Sequence, residues 1–503
     1  MRTRRSALSF TSEIGRTGVT LVVGLVATPF LLDWLGEARF GAHRTAVDWV
    51  GYLILLELGI GGALLPMLAR AFGGKDAGEV RATLVAGTRA LGRVTLVALA
   101  VGGALAFFIT RLIPVGDTLA GDLRWGFVLG VAGLLFLPFS PLRTLQEARQ
   151  RGYVVNTLLL VQSLLITGLA LLFAWKGWGI TGQFAAALIG GIPFFMALAW
   201  MAKRAYPGVL LALFTARPDA SASRSLRRLS PPAFVLNLCG RVSVMTDNIV
   251  VAFFLGPAIV VPFFITQRLA ALFQGQLQSL GNSSWAGLAE LHVQGQRNVF
   301  NERVIDLTRI IAVLGMAGLI PIVVYNEHFV RLWVGSARYA GDAVTLLAAL
   351  NAYLLAIVSL WGWCFNGTGH IRELVPASVV ATIINLTASL ALVEPLGMAG
   401  PLLGTTLGFV AVSVWYIPVL MHRVFGTNAL RLARTVALPL IVGLPYGAGI
   451  RWIALAQSQP GWIELALSML AAAMLFVLLC WFLILKESER RLHMEQIRAV
   501  FRR

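Results

Sequence analysis

Apolar residues along this chain gather into fourteen long runs, each near the length that a helix needs to cross a bilayer, separated mostly by short basic loops. About twenty apolar residues in a helix span a hydrocarbon core of about 30 Å. In lipid the backbone has no water to bond, so an open segment of this kind is stable only as a helix that satisfies its own N–H and C=O groups. The pattern predicts transmembrane helices over 15–35, 45–69, 90–110, 125–142, 154–175, 178–201 and 232–255. In the second half it predicts 258–285, 304–326, 343–366, 374–393, 398–421, 432–455 and 462–485. The class that follows is an all-α polytopic membrane protein of about 14 transmembrane helices, with no soluble stretch long enough for a core of its own.

Composition agrees: 58% of the residues are hydrophobic, mean hydropathy is +0.79 and 13% are charged, about half the charged share of a soluble domain. The formal charge of +18 raises the question of nucleic acid, and the placement of the basic residues answers it. With a cytoplasmic N-terminus, 30 of the 41 Lys and Arg fall in or near the N-terminal tail, the even-numbered loops and the C-terminal tail. Eight lie in or near the odd-numbered loops, and the other three (Arg16, Arg241, Arg268) are counted with the spans. Such asymmetry predicts that both termini are cytoplasmic, and that the charge serves topology and contact with anionic lipid. No nucleic-acid partner is expected.

The opening MRTRRSALSF lacks an apolar core followed by a small-residue cleavage site, so no removable signal peptide is expected and the first span acts as insertion signal. Cys239, Cys364 and Cys480 lie within or at the ends of spans without CxxC or Cys/His spacing, and read as small core residues, not disulfides or metal ligands. The stretch GGKDAGEV (Gly73 to Val80) lacks the spacing of a phosphate-binding loop, and neither HExxH nor GxSxG occurs. An enzyme is not expected, and neither is a cofactor or a metal.

Sliding the chain by 220 residues brings Leu35-Gly36 onto Leu255-Gly256, Gly61 onto Gly281, Thr88-Arg89 onto Thr308-Arg309 and Arg111-Leu112 onto Arg331-Leu332. Six spans separate the copies, an even number, so both run in the same direction. Duplications of this kind build transporters with two lobes about a central cavity. The expected organisation is an N-terminal lobe over 1–202, a cytoplasmic linker over 203–231, a C-terminal lobe over 232–424, and two further spans with a basic tail over 425–503.

Ionisable groups in transmembrane helices cost about 2.5–3.5 kcal/mol each at a helix centre on insertion scales, so each marks a candidate site. In the eighth span Gln267, Gln274, Gln278 and Asn282 share an arc of about 80°, with Arg268 at its margin. That stripe reads as the lining of a hydrated passage, with interhelical hydrogen bonding as the alternative. In the second span Arg44, Asp48 and Tyr52 share one face, with Glu57 expected on the opposite side. In the seventh, Asn237, Arg241 and Asn248 share a face, with Asp247 about 100° away. Arg16 sits in the first cytoplasmic turn of the first span, where it can also snorkel to headgroups. Guanidinium groups hold phosphate bidentately and stay charged. Arginines and amides together therefore fit an anionic head bearing hydroxyls, such as a pyrophosphate joined to sugars.

The run from Pro29 to Asp76, with Leu35-Gly36, Phe40-Gly41 and Glu57-Leu58-Gly59-Ile60-Gly61, resembles the opening two helices of bacterial polysaccharide flippases. Thr246 to Ala270, with Asp247 and Leu255-Gly256, is similar to that family's seventh and eighth helices, although Pro262-Phe263 stand where it often has glycine-tyrosine. The wider group is the multidrug/oligosaccharidyl-lipid/polysaccharide exporter superfamily. Fourteen helices resemble its lipid II flippase and polysaccharide exporter branches, whereas its drug exporters usually have twelve. The resemblance implies two pseudo-symmetric six-helix lobes in a V plus two C-terminal helices, in a bacterial inner membrane. It also implies a monomer that flips a polyprenyl-pyrophosphate-linked saccharide by alternating access for O-antigen-type surface polysaccharide, beside polymerase machinery. Arg16, Arg44, Arg241, Arg268, Gln267, Gln274, Gln278 and Asn282 are the substrate-binding candidates, and Asp48, Glu57 and Asp247 the candidates for a coupling ion. The alternatives are a cation-coupled drug exporter and a membrane-embedded glycosyltransferase or polymerase, the latter disfavoured by the lack of a large outer loop.

Overall fold

The computed structural model describes residues 2–484 apart from 58, 75, 221, 222, 225, 227–230 and 457–459. The expected basic tail beyond 484, and Leu58 of the family-like motif, lie outside the described residues. Among the described residues every regular element is helical. Twelve helices among the described residues are long and apolar enough to cross a membrane, and a bent pair, Phe234–Ser243 and Met245–Leu255, brings the number to thirteen if it counts as one span. The remaining predicted span, 45–69, is occupied by two shorter helices.

The first compact unit, Met1–Val261, begins with α1 (Arg2–Leu35) and α2 (Glu37–Ile54), joined at Gly36. That residue has φ 76°, a region only glycine enters freely. Its repeat counterpart Gly256 ends the seventh span with φ 95°. Both therefore adopt the left-handed region at corresponding helix junctions, which explains why the Leu-Gly pair survives at both places. The halves differ beyond it. After α2 the chain passes through a 3-10 turn, Leu55–Glu57, and left-handed Gly59 before α3 (Ile60–Gly73). The matching stretch of the second half runs unbroken in one long helix, Val260–Val293.

Four helices continue the first unit: α4 (Ala77–Leu112), α5 (Asp117–Ala132), α6 (Ser140–Ala148) and α7 (Gly152–Trp175). The side chain of Asp76 caps α4 by accepting from the Gly78 and Glu79 amides at 2.8 and 3.1 Å, satisfying N–H groups that a helix start leaves open. Asp122 of α5 does the same from outside for α8 (Gly179–Ala205), accepting from the Ile180 and Thr181 amides at 2.8 Å each. Next come α9 (Val209–Thr215) and α10 (Pro231–Leu255), the bent seventh span, which packs on α2 inside this unit.

The second unit, Pro262–Arg503, takes in most of α11 (Val260–Val293), then α12 (Arg297–Val334), α13 (Asp342–Gly367) and α14 (Val375–Leu396). After them come α15 (Ala399–Gly408), a π-helical turn over Phe409–Ser413, and α16 (Val414–Phe425). The last two described helices are α17 (Ala429–Ala456) and α18 (Trp462–Leu483). In α12 and α13, 61% of the most apolar window is buried by protein, so these two form the unit's core. The two appended spans are fastened to it. Arg431 of α17 pairs with Glu302 of α12, and Arg451 at the other end of α17 pairs with Asp342 at 2.6 Å. Tyr353 of α13 donates to the Val436 carbonyl at 2.9 Å between those ends.

The charge asymmetry sets an expected topology that reporter fusions can check. A fusion at the C-terminus should report cytoplasm and one after residue 335, at the turn following α12, should report outside; the reverse pattern would overturn it.

Candidate functional site

Within the first unit the polar residues of α2 and α10 meet in a ladder. The Asp48 side chain is 1% exposed. It sits 3.4 Å from the Arg44 guanidinium one turn away and accepts from the Asn248 amide at 2.8 Å. One turn further along α2, the Tyr52 hydroxyl is hydrogen-bonded to Thr246. Beyond the helix break Glu57 interacts electrostatically with Arg241. Rising residue numbers on α2 thus meet falling numbers on α10, as in two antiparallel helices in register.

A regular helix would place Glu57 on the opposite side from Asp48, but the helix is not regular there. That projection assumes about 100° per residue throughout, and the 3-10 turn with left-handed Gly59 breaks the assumption at Glu57 itself. The α10 side of the ladder is interrupted too, because the span bends by 43° between Ser243 and Met245. Gly51 of α2 gives Met245 its space, since a Cβ there would collide with the methionine's terminal methyl. Asp247 is buried at 7% exposure, and Arg241 is exposed, its guanidinium 3.9 Å from the Met245 sulfur.

Arg16 is half-buried on α1. It lies one turn beyond Ser12, on the stripe where Ser9 and Ser12 accept hydrogen bonds from Asn156 of α7 at 3.1 Å each. It therefore continues a face that packs against α7.

In the second unit the stripe on α11 divides. Gln267 donates to the Phe263 carbonyl of its own helix at 3.0 Å, and Gln278 donates to Ser359 of α13 at 2.9 Å. Gln274 is half-buried and Asn282 exposed. Arg268 lies over the Phe264 ring at 5.6 Å, a cation–π placement. The structure thus brings Arg44, Asp48, Glu57 and Arg241 together in one unit. It also adds three partners not singled out as site residues from sequence: Tyr52, Thr246 and Asn248. Tyr52 and Asn248 carried a signal, since each shares a helical face with a site candidate; Thr246 carried none. Among the described residues no group of His, Cys, Asp and Glu is arranged to hold a metal ion.

The chain as a whole is similar to solved membrane transporters. It overlays the lipid II flippase MurJ, in an inward closed conformation, with a TM-score of 0.72 at 12% identity, covering 93% of this chain and 98% of that one. A multidrug resistance MATE family transporter of the MOP superfamily, inward-facing, gives 0.55 at 14% identity, with 89% and 99% covered. A MATE structure in complex with MaD3S gives 0.59 at 15%, with 91% and 97% covered. No protein-family model and no curated protein sequence matches the chain. The fold of this multi-pass membrane protein is the one seen in these flippase and MATE transporter structures.

Proposed function

We propose that the protein is a flippase that moves a polyprenyl-(pyro)phosphate-linked oligosaccharide from the inner to the outer leaflet of a bacterial cytoplasmic membrane, by alternating access of two lobes, for surface polysaccharide synthesis. The observation that carries the reading is the Arg44–Asp48 ion pair on α2, its carboxylate almost wholly buried, with Glu57 and Arg241 within electrostatic reach of each other beyond it, in a chain whose fold overlays a lipid II flippase. A pyrophosphate arriving beside Arg44 and Arg241 competes with Asp48 and Glu57 for their guanidinium groups. The bidentate fit of a phosphate favours the exchange. Each carboxylate that loses its arginine is then an uncompensated charge within the membrane, and takes up a proton or metal cation to restore neutrality. Substrate binding and cation uptake are thereby linked through the same two pairs. Amides of the α11 stripe contact the sugars, and Arg16 and Arg268 add positive charge.

The test is flipping of a fluorescent polyprenyl-pyrophosphate saccharide in reconstituted vesicles. Arg44→Lys, Arg241→Lys and Arg268→Lys should insert normally and lose about tenfold or more of the rate, because a hydrogen bond to a charged group is worth about 1.5–3 kcal/mol. Arg224→Lys in the linker should be silent. Full activity of all three site variants would overturn the phosphate reading. The likeness to MATE structures favours a second reading, a cation-coupled drug exporter. It predicts no flipping by the unmodified protein, and drug efflux that is lost in Asp48→Asn.

A further inference from the structure

Residues 203–231 look polar enough in sequence to be a free connection, yet their first part stays on the first unit. The inner end of α8 carries Trp200, 60% exposed, with the Arg204 guanidinium 5.4 Å above its ring. Arg149 lies similarly over Tyr206 at 5.9 Å. Gly208, at φ 76°, then turns the chain into α9. One side of α9 is held firmly: Val209, Ala212 and Leu213 are at most 1% exposed, in a cluster with residues of α3, α4, α6 and α8. Arg89 of α4 donates to the Phe214 carbonyl at the helix end.

The other side presents Leu211 and Phe214, 68% and 63% exposed. A helix seven residues long has no need of large apolar side chains on both sides unless both are out of water. Indole rings collect at the boundary of hydrocarbon and headgroup, and arginine and lysine stems lie along apolar surface with their charges at headgroup depth. Trp200 with Arg204 above it marks that depth, and Leu211 and Phe214 stand a turn of chain away.

We propose that α9 is an in-plane anchor that sinks Leu211 and Phe214 into the cytoplasmic leaflet, and that Lys203 and Arg204 beside it bind the phosphate of an anionic phospholipid. The occupant is a membrane lipid because the apolar pair and the two cations need an acyl region and an anionic head in one molecule. The inference goes beyond the transport reading and holds whatever the cargo, resting only on this end of α8 being cytoplasmic. It makes the inner ends of α4 and α8, which α9 straddles, responsive to the charge of the leaflet.

The experiment places a bimane fluorophore on Leu211→Cys, in a chain whose Cys239, Cys364 and Cys480 are replaced by alanine. It is reconstituted with brominated phosphatidylcholine or brominated phosphatidylglycerol. Both lipids should quench, and phosphatidylglycerol more strongly, because a basic side chain near an anionic surface enriches the lipid about fivefold. K203Q combined with R204Q should abolish the preference and keep the quenching. Lys176→Gln, over Trp175 at the other end of the membrane segment, should leave the preference intact. If Leu211→Cys fails to assemble, Phe214→Cys carries the probe. Absence of quenching by either lipid would show that α9 faces water and overturn the anchor. Equal quenching by the two lipids, or a preference that survives the double substitution, would overturn the anionic site.

Discussion

Replacing Asp48 by alanine is expected to lower the melting temperature of the detergent-solubilised protein and to abolish transport. The carboxylate is almost wholly buried and has two neighbours to satisfy, the Arg44 guanidinium at 3.4 Å and the Asn248 amide at 2.8 Å. Deleting it removes the acceptor of that amide, and a partly or fully buried donor left without one costs about 1–3 kcal/mol. It also takes away a negative charge beside Arg44, whose side chain is 35% exposed, so the electrostatic part is smaller than for a fully buried pair. Asp48→Asn keeps the shape and a carbonyl acceptor, and is expected to melt closer to the unmodified protein while still failing to transport. A thermal melt of both variants, read beside the flipping assay, separates the two losses. An Asp48→Ala protein that melts and transports normally would show that the ladder between α2 and α10 has no role in either.

A single methyl group at Gly41 is expected to have the largest effect on folding. Gly41 faces the carbonyl group of Pro257, in the turn that follows α10, and a Cβ placed there collides with that backbone oxygen and carbon. Neither partner is a flexible side-chain end, so relief requires α2 and the turn to move apart, which would pull the ladder open from its outer end. Overpacking of this kind costs about 1–3 kcal/mol and more where backbone must shift. Gly41→Ala should therefore reach the membrane at much reduced yield or migrate as aggregate on size exclusion. Gly15→Ala serves as control, because nothing lies within 4 Å of a Cβ there. Equal, monodisperse yields of the two variants would refute the close approach.

Pro257 also shows where sequence reading stops. The repeat places Gly36 and Gly256 in equivalent positions, and their shared left-handed conformation is why both had to be glycine. Nothing in the pattern marks Gly41 as different from the other glycines near it, since its requirement comes from a carbonyl more than two hundred residues away. The same holds for Asp48. Its burial is implied by the apolar run around it, but its bond to Asn248 belongs to a packing of α2 on α10 that no single-helix projection contains.

The class of the protein and its helical segments follow from the amino-acid sequence by itself, because a long apolar run in lipid has one way to satisfy its backbone. Helices long and apolar enough to cross a membrane fall on twelve of the fourteen predicted runs, and a bent pair falls on a thirteenth. Tertiary structure decided the rest. It broke the second span at Leu55–Gly59, with Glu57 left within electrostatic reach of Arg241. It gave Gln278 a hydrogen-bond partner on α13. It also turned part of an apparently free linker into α9, packed against the first unit. Periodicity records which side of a helix is polar, and it holds only while the helix is regular; which neighbour meets that side is fixed by contacts between residues far apart in the chain.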